Sequence, residues 1–202
     1  MSWAATQRYD LTPAPAGLAL LQEFMNTGPR PRPQTRDLLD TVGSAQAWSE
    51  SAMQQWAERT GGVYRKTRLR KADVQELRHL RAGIASALRR RDGMEHPAPK
   101  TSTPLARVGI SAVIGADAGV TLELSGQGWE NLASAMAIEA FRAQVTDTWR
   151  RLKICRNVEC PAVFYDRSPN NSGVWHDVRT CGNVANLRAS RARRSATLST
   201  SP

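Results

Sequence analysis

The run Lys153-Ile154-Cys155-Arg156-Asn157-Val158-Glu159-Cys160-Pro161 continues through Phe164-Tyr165-Asp166 and closes on Trp175-His176 and Cys181-Gly182-Asn183. Its ligand spacing is C-x4-C, fifteen intervening residues, then H-x4-C, and it holds all 3 cysteines of the chain. An odd number of cysteines gathered in one short polar stretch argues against a disulfide framework and for a metal. The thiolates of Cys155, Cys160 and Cys181 with the imidazole of His176 make a complete tetrahedral set for Zn2+. Sulfur donors favour zinc over magnesium or calcium, and an iron–sulfur cluster needs another spacing and usually a fourth cysteine. Four protein ligands leave no position for water, so the spacing predicts one structural zinc. Glu159 is then a solvated or supporting residue and not a general base.

Working outward, residues 151–194 are rich in Cys, Pro, Asn, Ser and Gly, with little apolar periodicity. Such a segment cannot bury enough apolar surface to stand alone. Metal binding would supply folding free energy on the order of 10 kcal/mol. Phe164, Tyr165 and Trp175 read as a small apolar core around the ion, with stacking on nucleic-acid bases as the alternative. Beyond Cys181 the chain has good helical propensity, and Arg188, Arg191 and Arg194 recur at three-residue intervals on one face. A helix anchored by a metal ligand and bearing arginines suits a phosphate backbone; a solvated basic tail is the plainer reading.

Charge agrees with a polyanionic partner. The 202 residues carry 28 Lys and Arg against 18 Asp and Glu, a formal net charge of +10. From Arg150 onward the balance is +7, and only +3 falls on the preceding 149 residues. No apolar run is long enough to span a membrane, and the first residues lack a secretion signal, so a cytoplasmic location is expected. The chain shows no nucleophile–base motif, P-loop or dinucleotide fingerprint, and an enzyme is not expected.

Upstream of the cysteines, periodicity predicts helices over residues 18–25, from Ser44 as N-cap to Gly61-Gly62, over 71–91 and over 129–149. Two β-favouring runs, 107–114 and 120–124, flank a glycine-rich loop and predict one hairpin. Pro29-Arg30-Pro31-Arg32-Pro33 reads as an extended loop that excludes helix and ladder alike. The basic runs at 65–71 and 89–91 are solvated faces or an extension of a nucleic-acid footprint. Asn26 and Thr27 either line a ligand pocket or simply end a helix.

The pattern Leu152-Lys153-x-Cys155, Cys160, Phe164-Tyr165-Asp166-x-Ser168-x-Asn170-x-Ser172, Trp175 and Cys181-Gly182-Asn183 resembles the CGNR-type zinc finger. Phe24-Met25-Asn26-Thr27, Asp37-Leu38-Leu39 and Trp48 resemble the opening of the ABATE-type domain that usually precedes that finger in bacterial stress-induced transcription regulators. His176 stands where the family has cysteine, and Val184 where it has the naming arginine. The resemblance implies a zinc-dependent DNA-binding regulator, with Arg167, Arg179, Arg188, Arg191, Arg193 and Arg194 as the remaining DNA-binding cations. A zinc-stabilised protein-interaction module is the alternative.

The whole reads as an α+β protein. Residues 1–13 form a disordered leader. Residues 14–150 form a mostly helical domain with one β-hairpin, open to a small-molecule or protein effector at Asn26 and Thr27. Residues 151–194 form a treble-clef-like zinc finger ending in a basic helix, and 195–202 a disordered tail.

Overall fold

Burial on every side decides the role of Leu18–Met25 (α2): all eight of its residues are buried. A helix without a wet face is a central element, and α2 touches the other helices of the N-terminal part and the strand Val163–Tyr165. The computed structural model describes residues 3–31, 33–64, 66–94 and 108–187. In chain order these form α1 (Ala4–Gln7), α2, β1 (Arg30–Pro31), β2 (Gln34–Thr35), α3 (Val42–Thr60) and α4 (Lys71–Arg91). There follow β3 (Ile110–Ile114), β4 (Val120–Leu124), α5 (Trp129–Val145), a 3-10 turn (Trp149–Arg151), β5 (Leu152–Ile154) and β6 (Val163–Tyr165). A wide π-type turn, Val178–Gly182, leads into helical residues 183–187. The strands form three separate antiparallel pairs, β1–β2, β3–β4 and β5–β6.

Polar residues on a buried helix must find partners, and those of α2 capture the start of the chain. The Glu23 carboxylate accepts the N–H groups of Ala5 and Thr6, each at 2.8 Å. It thereby caps α1, where a negative charge is favoured. Gln22 Oε1 accepts the Ala14 N–H at 2.5 Å. Trp3 and Tyr9 are each only 4% exposed. The expected disordered leader is therefore corrected: Trp3, Ala5, Thr6 and Tyr9 are buried, Glu23 takes the N–H groups of Ala5 and Thr6, and Gln22 donates to the Thr12 carbonyl.

Asn26 and Thr27 are corrected in the same way. They are 1% and 0% exposed, and their side chains are spent on hydrogen bonds within the fold. Asn26 exchanges two hydrogen bonds with the backbone of Val163, its Nδ2 donating to the carbonyl and its Oδ1 accepting the N–H, both at 2.9 Å. The Thr27 hydroxyl accepts from Arg81 at 2.7 Å, and the same guanidinium forks onto Asp37. Burial would raise the Asp37 pKa, but the hydrogen bonds and charge of Arg81, with the Leu39 N–H, hold it below the usual carboxylate range. Asn26 thus fastens the first half of the chain to β6.

Two boundaries shift and one expected loop pairs as strand, each for a local reason. The N-cap of α3 is Thr41, three residues before the expected Ser44, and the two hydroxyl residues cap each other reciprocally. Helix α5 ends at Val145, because Asp147 takes a left-handed conformation with φ 57° and the Thr148 N–H turns back onto Ala143. The proline-rich run does enter a ladder: Arg30 pairs with Thr35 and Pro31 with Gln34, a two-residue contact short enough for proline to tolerate. Helix α4 spans the predicted residues, with Val74, Leu77, Ile84 and Leu88 buried.

Leu152, Ile154 and Val163 of the β5–β6 pair belong to the same apolar cluster as α2 to α5. Arg91 at the end of α4 donates to the carbonyls of Trp149 at 3.1 Å and Leu152 at 2.5 Å, clamping the entry to β5. One core therefore runs through the boundary near residue 150 that composition marks so clearly. Replacing Asn26 with leucine strands the N–H of Val163, which is 0% exposed, and leaves its C=O only the longer contact from Gln22 Nε2 at 3.5 Å. Urea unfolding is expected to show a loss of about 3 kcal/mol, and an unchanged midpoint would count against the pin.

Candidate metal centre

Strand β5 delivers Cys155 at its end, where the Cys155 N–H donates to Ala162 O at 2.9 Å and closes the β5–β6 hairpin. The intervening turn is tightened by Cys160 N–H to Asn157 O at 2.8 Å, presenting the second sulfur beside the first. After β6 the chain loops out and returns through Trp175-His176. Asp177 then caps the turn bearing Cys181: its side chain accepts from the Arg179 N–H at 2.7 Å and the Thr180 hydroxyl at 3.1 Å. The Cys181 N–H donates to Asp177 O at 2.9 Å.

The four predicted ligands meet. Their donor atoms all lie within 4.8 Å of one another. Cys160 Sγ is 3.4 Å from His176 Nδ1. A tetrahedral zinc with ordinary bond lengths separates sulfur from nitrogen by about 3.5 Å and sulfur from sulfur by about 3.8 Å. The donor set therefore fits a single structural zinc, held by Cys155, Cys160, His176 and Cys181. Sulfur chemistry agrees: the Cys155 thiol is held down at about 4 by its hydrogen bond from Cys160 and, against burial, by His176. The same bond pushes Cys160 up, and burial pushes Cys181 up. The three sulfurs thus hold one charge among them readily, and a dication is what stabilises three.

The surroundings include residues that spacing alone does not reveal. Tyr9 and Leu11 pack with Cys155, Cys181, Ala162 and Trp175. The Tyr9 ring meets His176 edge-on at 5.9 Å and 83°. Burial, aided by the nearby Cys160, pushes the Tyr9 phenol up to about 12. Asn157 Nδ2 donates to Cys181 Sγ at 3.4 Å. Gln22 and Glu23, the buried polar pair that seats this leader, were the sequence signal for it.

Lys153 and Asp166 hold the loop that carries His176. Lys153 Nζ reaches Asp166 Oδ2 at 2.7 Å and the carbonyls of Asn171 and Gly173 at 2.6 and 3.0 Å. Asp166 in turn accepts the N–H groups of Ser168 at 2.9 Å and Gly173 at 2.7 Å. A Cβ at position 173 would lie 2.8 Å from Asp166 Oδ1, so only glycine lets the loop close on the carboxylate. Burial would raise the Asp166 pKa, but Lys153 and those N–H donors hold it at about 2.

Two of the six expected DNA-binding cations lie among the described residues. Arg179 is exposed at the start of the terminal helical turn. Arg167 is engaged, donating to Pro13 O at 2.8 Å and lying 5.4 Å over the Tyr165 ring. Arg188, Arg191, Arg193 and Arg194 lie outside the described residues. In the basic runs flanking α4, Lys66 pairs with Glu50 at 3.0 Å and Arg91 with Asp92 at 2.9 Å. A further cation comes from the N-terminal part: Arg30 stacks at 5.1 Å over Tyr9 and shares a groove with Thr180 and Val184.

Two family models match the chain. One, CGNR zinc finger, covers residues 151–194. The other, ABATE, described as "Putative stress-induced transcription regulator", covers residues 18–147. No curated protein matches it.

Purified protein is expected to carry one zinc per chain by mass spectrometry. Cys181→Ser should lose it, and His176→Cys should keep it, because four sulfurs also satisfy the ion. Full zinc in Cys181→Ser would break the assignment. Asp166→Ala should destabilise by about 3–5 kcal/mol, since it leaves the Lys153 ammonium buried and unpaired. Because the folded pKa of Asp166 is depressed, the gap between wild type and variant should be full above pH 5. It should shrink as pH falls from about 4 toward about 2, read by urea unfolding at each pH.

Proposed function

The chain belongs to the ABATE family, and on that footing we propose that it is a cytoplasmic DNA-binding transcription regulator whose zinc is structural. The observation that carries this reading is the place of Cys181. A metal ligand sits in the first turn of the segment that continues into Arg188, Arg191, Arg193 and Arg194. A ligand fixed at the head of an arginine-bearing segment suits a phosphate backbone, where affinity rises with each counterion displaced. Arg179 is exposed on the same turn, and Arg30 borders it. A binding role without catalysis agrees with a metal set whose four positions are all protein. No helix among the described residues is long and apolar enough to cross a membrane.

A second reading rests on a separate observation. Val158, at the tip of the turn between the first two cysteines, is 91% exposed, and Val178 and Leu187 are 64% and 55% exposed. The Val158 side chain bared on that turn is the apolar feature a protein partner would cover.

A salt-titrated shift assay on duplex DNA separates the two. If about five arginines meet phosphates, the logarithm of affinity should fall against the logarithm of salt with a slope of about −4 to −5. Arg188→Ala with Arg191→Ala should lower that slope by about 2. Chelation should abolish binding. Absence of any shift at low salt would leave the protein-docking reading standing in its place.

A further inference from the structure

Among the described residues upstream of the finger, the exposed large apolar side chains other than Val42 gather on and beside the β3–β4 hairpin. Ile110, Ile114 and Val120 are 41%, 73% and 67% exposed. Val63, 70% exposed, lines the same recess as Val120 and Leu122. Phe141 and Val145, 66% and 69% exposed, continue the line of Ser134 and Ile138 along α5. The hairpin rests on that helix, where the Ser134 hydroxyl bonds the carbonyls of Gly109 and Ser125 at 2.9 and 3.2 Å. These six side chains leave roughly 700 Å² of apolar surface in water, more than a monomer usually shows in one patch. A standard interface takes about 800 Å² from each partner.

One edge of the hairpin is also unmet. The Gly115 N–H donates to Gly119 O at 2.8 Å, and from that pair the antiparallel register alternates. Ser111 and Val113 therefore turn their N–H and C=O groups toward β4, and Ile110, Ala112 and Ile114 turn theirs outward. The outward groups have no partner strand among the described residues, and every residue of β3 is exposed. Natural edge strands are blunted by charges, prolines or bulges. The strand Ile110-Ser111-Ala112-Val113-Ile114 has no charge and no proline, and its register runs without a bulge.

This strand is close to being its own complement. Turned antiparallel about Ala112, it sets Ile110 against Ile114 of the partner subunit and Ala112 against Ala112 of the partner subunit. Apolar then meets apolar at every outward position. Charge permits the approach. Residues 108–128 hold Asp117 and Glu123 but no Lys or Arg, so the excess cations that make two copies repel lie elsewhere. Asp117 is turned onto the Gly119 N–H at 3.0 Å, and Glu123 pairs with Ser111 on the opposite face from the isoleucines.

We propose that the protein is a two-fold dimer in which β3 pairs with β3 of a second copy and the two hairpins become one four-stranded sheet. The pairing satisfies the outward backbone groups and takes the apolar patch out of water. A contact of this self-complementary kind closes at two chains. It is separate from the metal centre and stands whether or not the chain binds DNA.

Analytical ultracentrifugation of full-length zinc-loaded protein at micromolar concentration should give twice the chain mass of 22.2 kDa. Ile114→Lys changes a side chain that the single chain leaves exposed. It should give the monomer mass with zinc content and helix content unchanged. Ala112→Cys places two thiols across the axis with Cα atoms about 5.5 Å apart, so mild oxidation should link the copies. Val113→Cys should not link, because its two copies stand more than about 7 Å apart. A monomer at every concentration would sink the dimer and leave the patch to another protein. A dimer indifferent to Ile114→Lys, or equal linking of the two cysteine variants, would equally overturn the proposal.

Discussion

Two hydrogen bonds between Asn26 and the backbone of Val163 join the halves of this molecule. They lie at the end of a helix with no solvent face, and the same helix holds residues 5–14 through Gln22 and Glu23. A buried amide that matches a strand's N–H and C=O together replaces a missing ladder neighbour. The β5–β6 pair thus has a second edge partner that is a side chain. This arrangement fixes the first cysteine relative to the helical core before any metal is considered.

The metal centre adds a second tie of another kind. Zinc draws four donors from a turn, a loop and a helix start, and each is oriented by backbone hydrogen bonds around it. Lys153 and Asp166 perform the same service for the returning loop by pairing opposite charges inside a shell of N–H and C=O groups. The finger therefore depends on three sources: coordination, a buried ion pair, and apolar contact with the helices. From the sequence it is given coordination and a small apolar core of Phe164, Tyr165 and Trp175 around the ion; the ion pair and the packing on the helices are not foreseen.

What was legible follows from where the physics is local. Coordination demands particular residue types, so Cys155, Cys160, His176 and Cys181 could be picked out from spacing. A long amphipathic helix repeats its signal many times, and α4 was read over the residues it occupies. The N-cap of α3 was misplaced because Thr41 and Ser44 are both competent caps, and only geometry shows that each serves the other. Within residues 3–14 only Ala4–Gln7 is helical, too short to show periodicity, and the order of this stretch derives from acceptors that lie later in the chain. Asn26 has the look of a turn residue, since nothing nearby in sequence announces a partner 137 positions away. Arg167, chosen for its charge, is tied instead to Pro13 and Tyr165.

Tyr9 stands between Arg30 and His176, with its ring edge-on to the imidazole. The barrier to ligand exchange at the ion is accordingly shared with a stretch of chain far upstream. Lifting that stretch would admit water and competing thiols to the sulfurs while leaving every coordinating residue in place. Metal lability, measured as a rate, would then report how firmly the first dozen residues are seated, and a finger excised at its sequence boundary would exchange faster than the same finger in the whole chain.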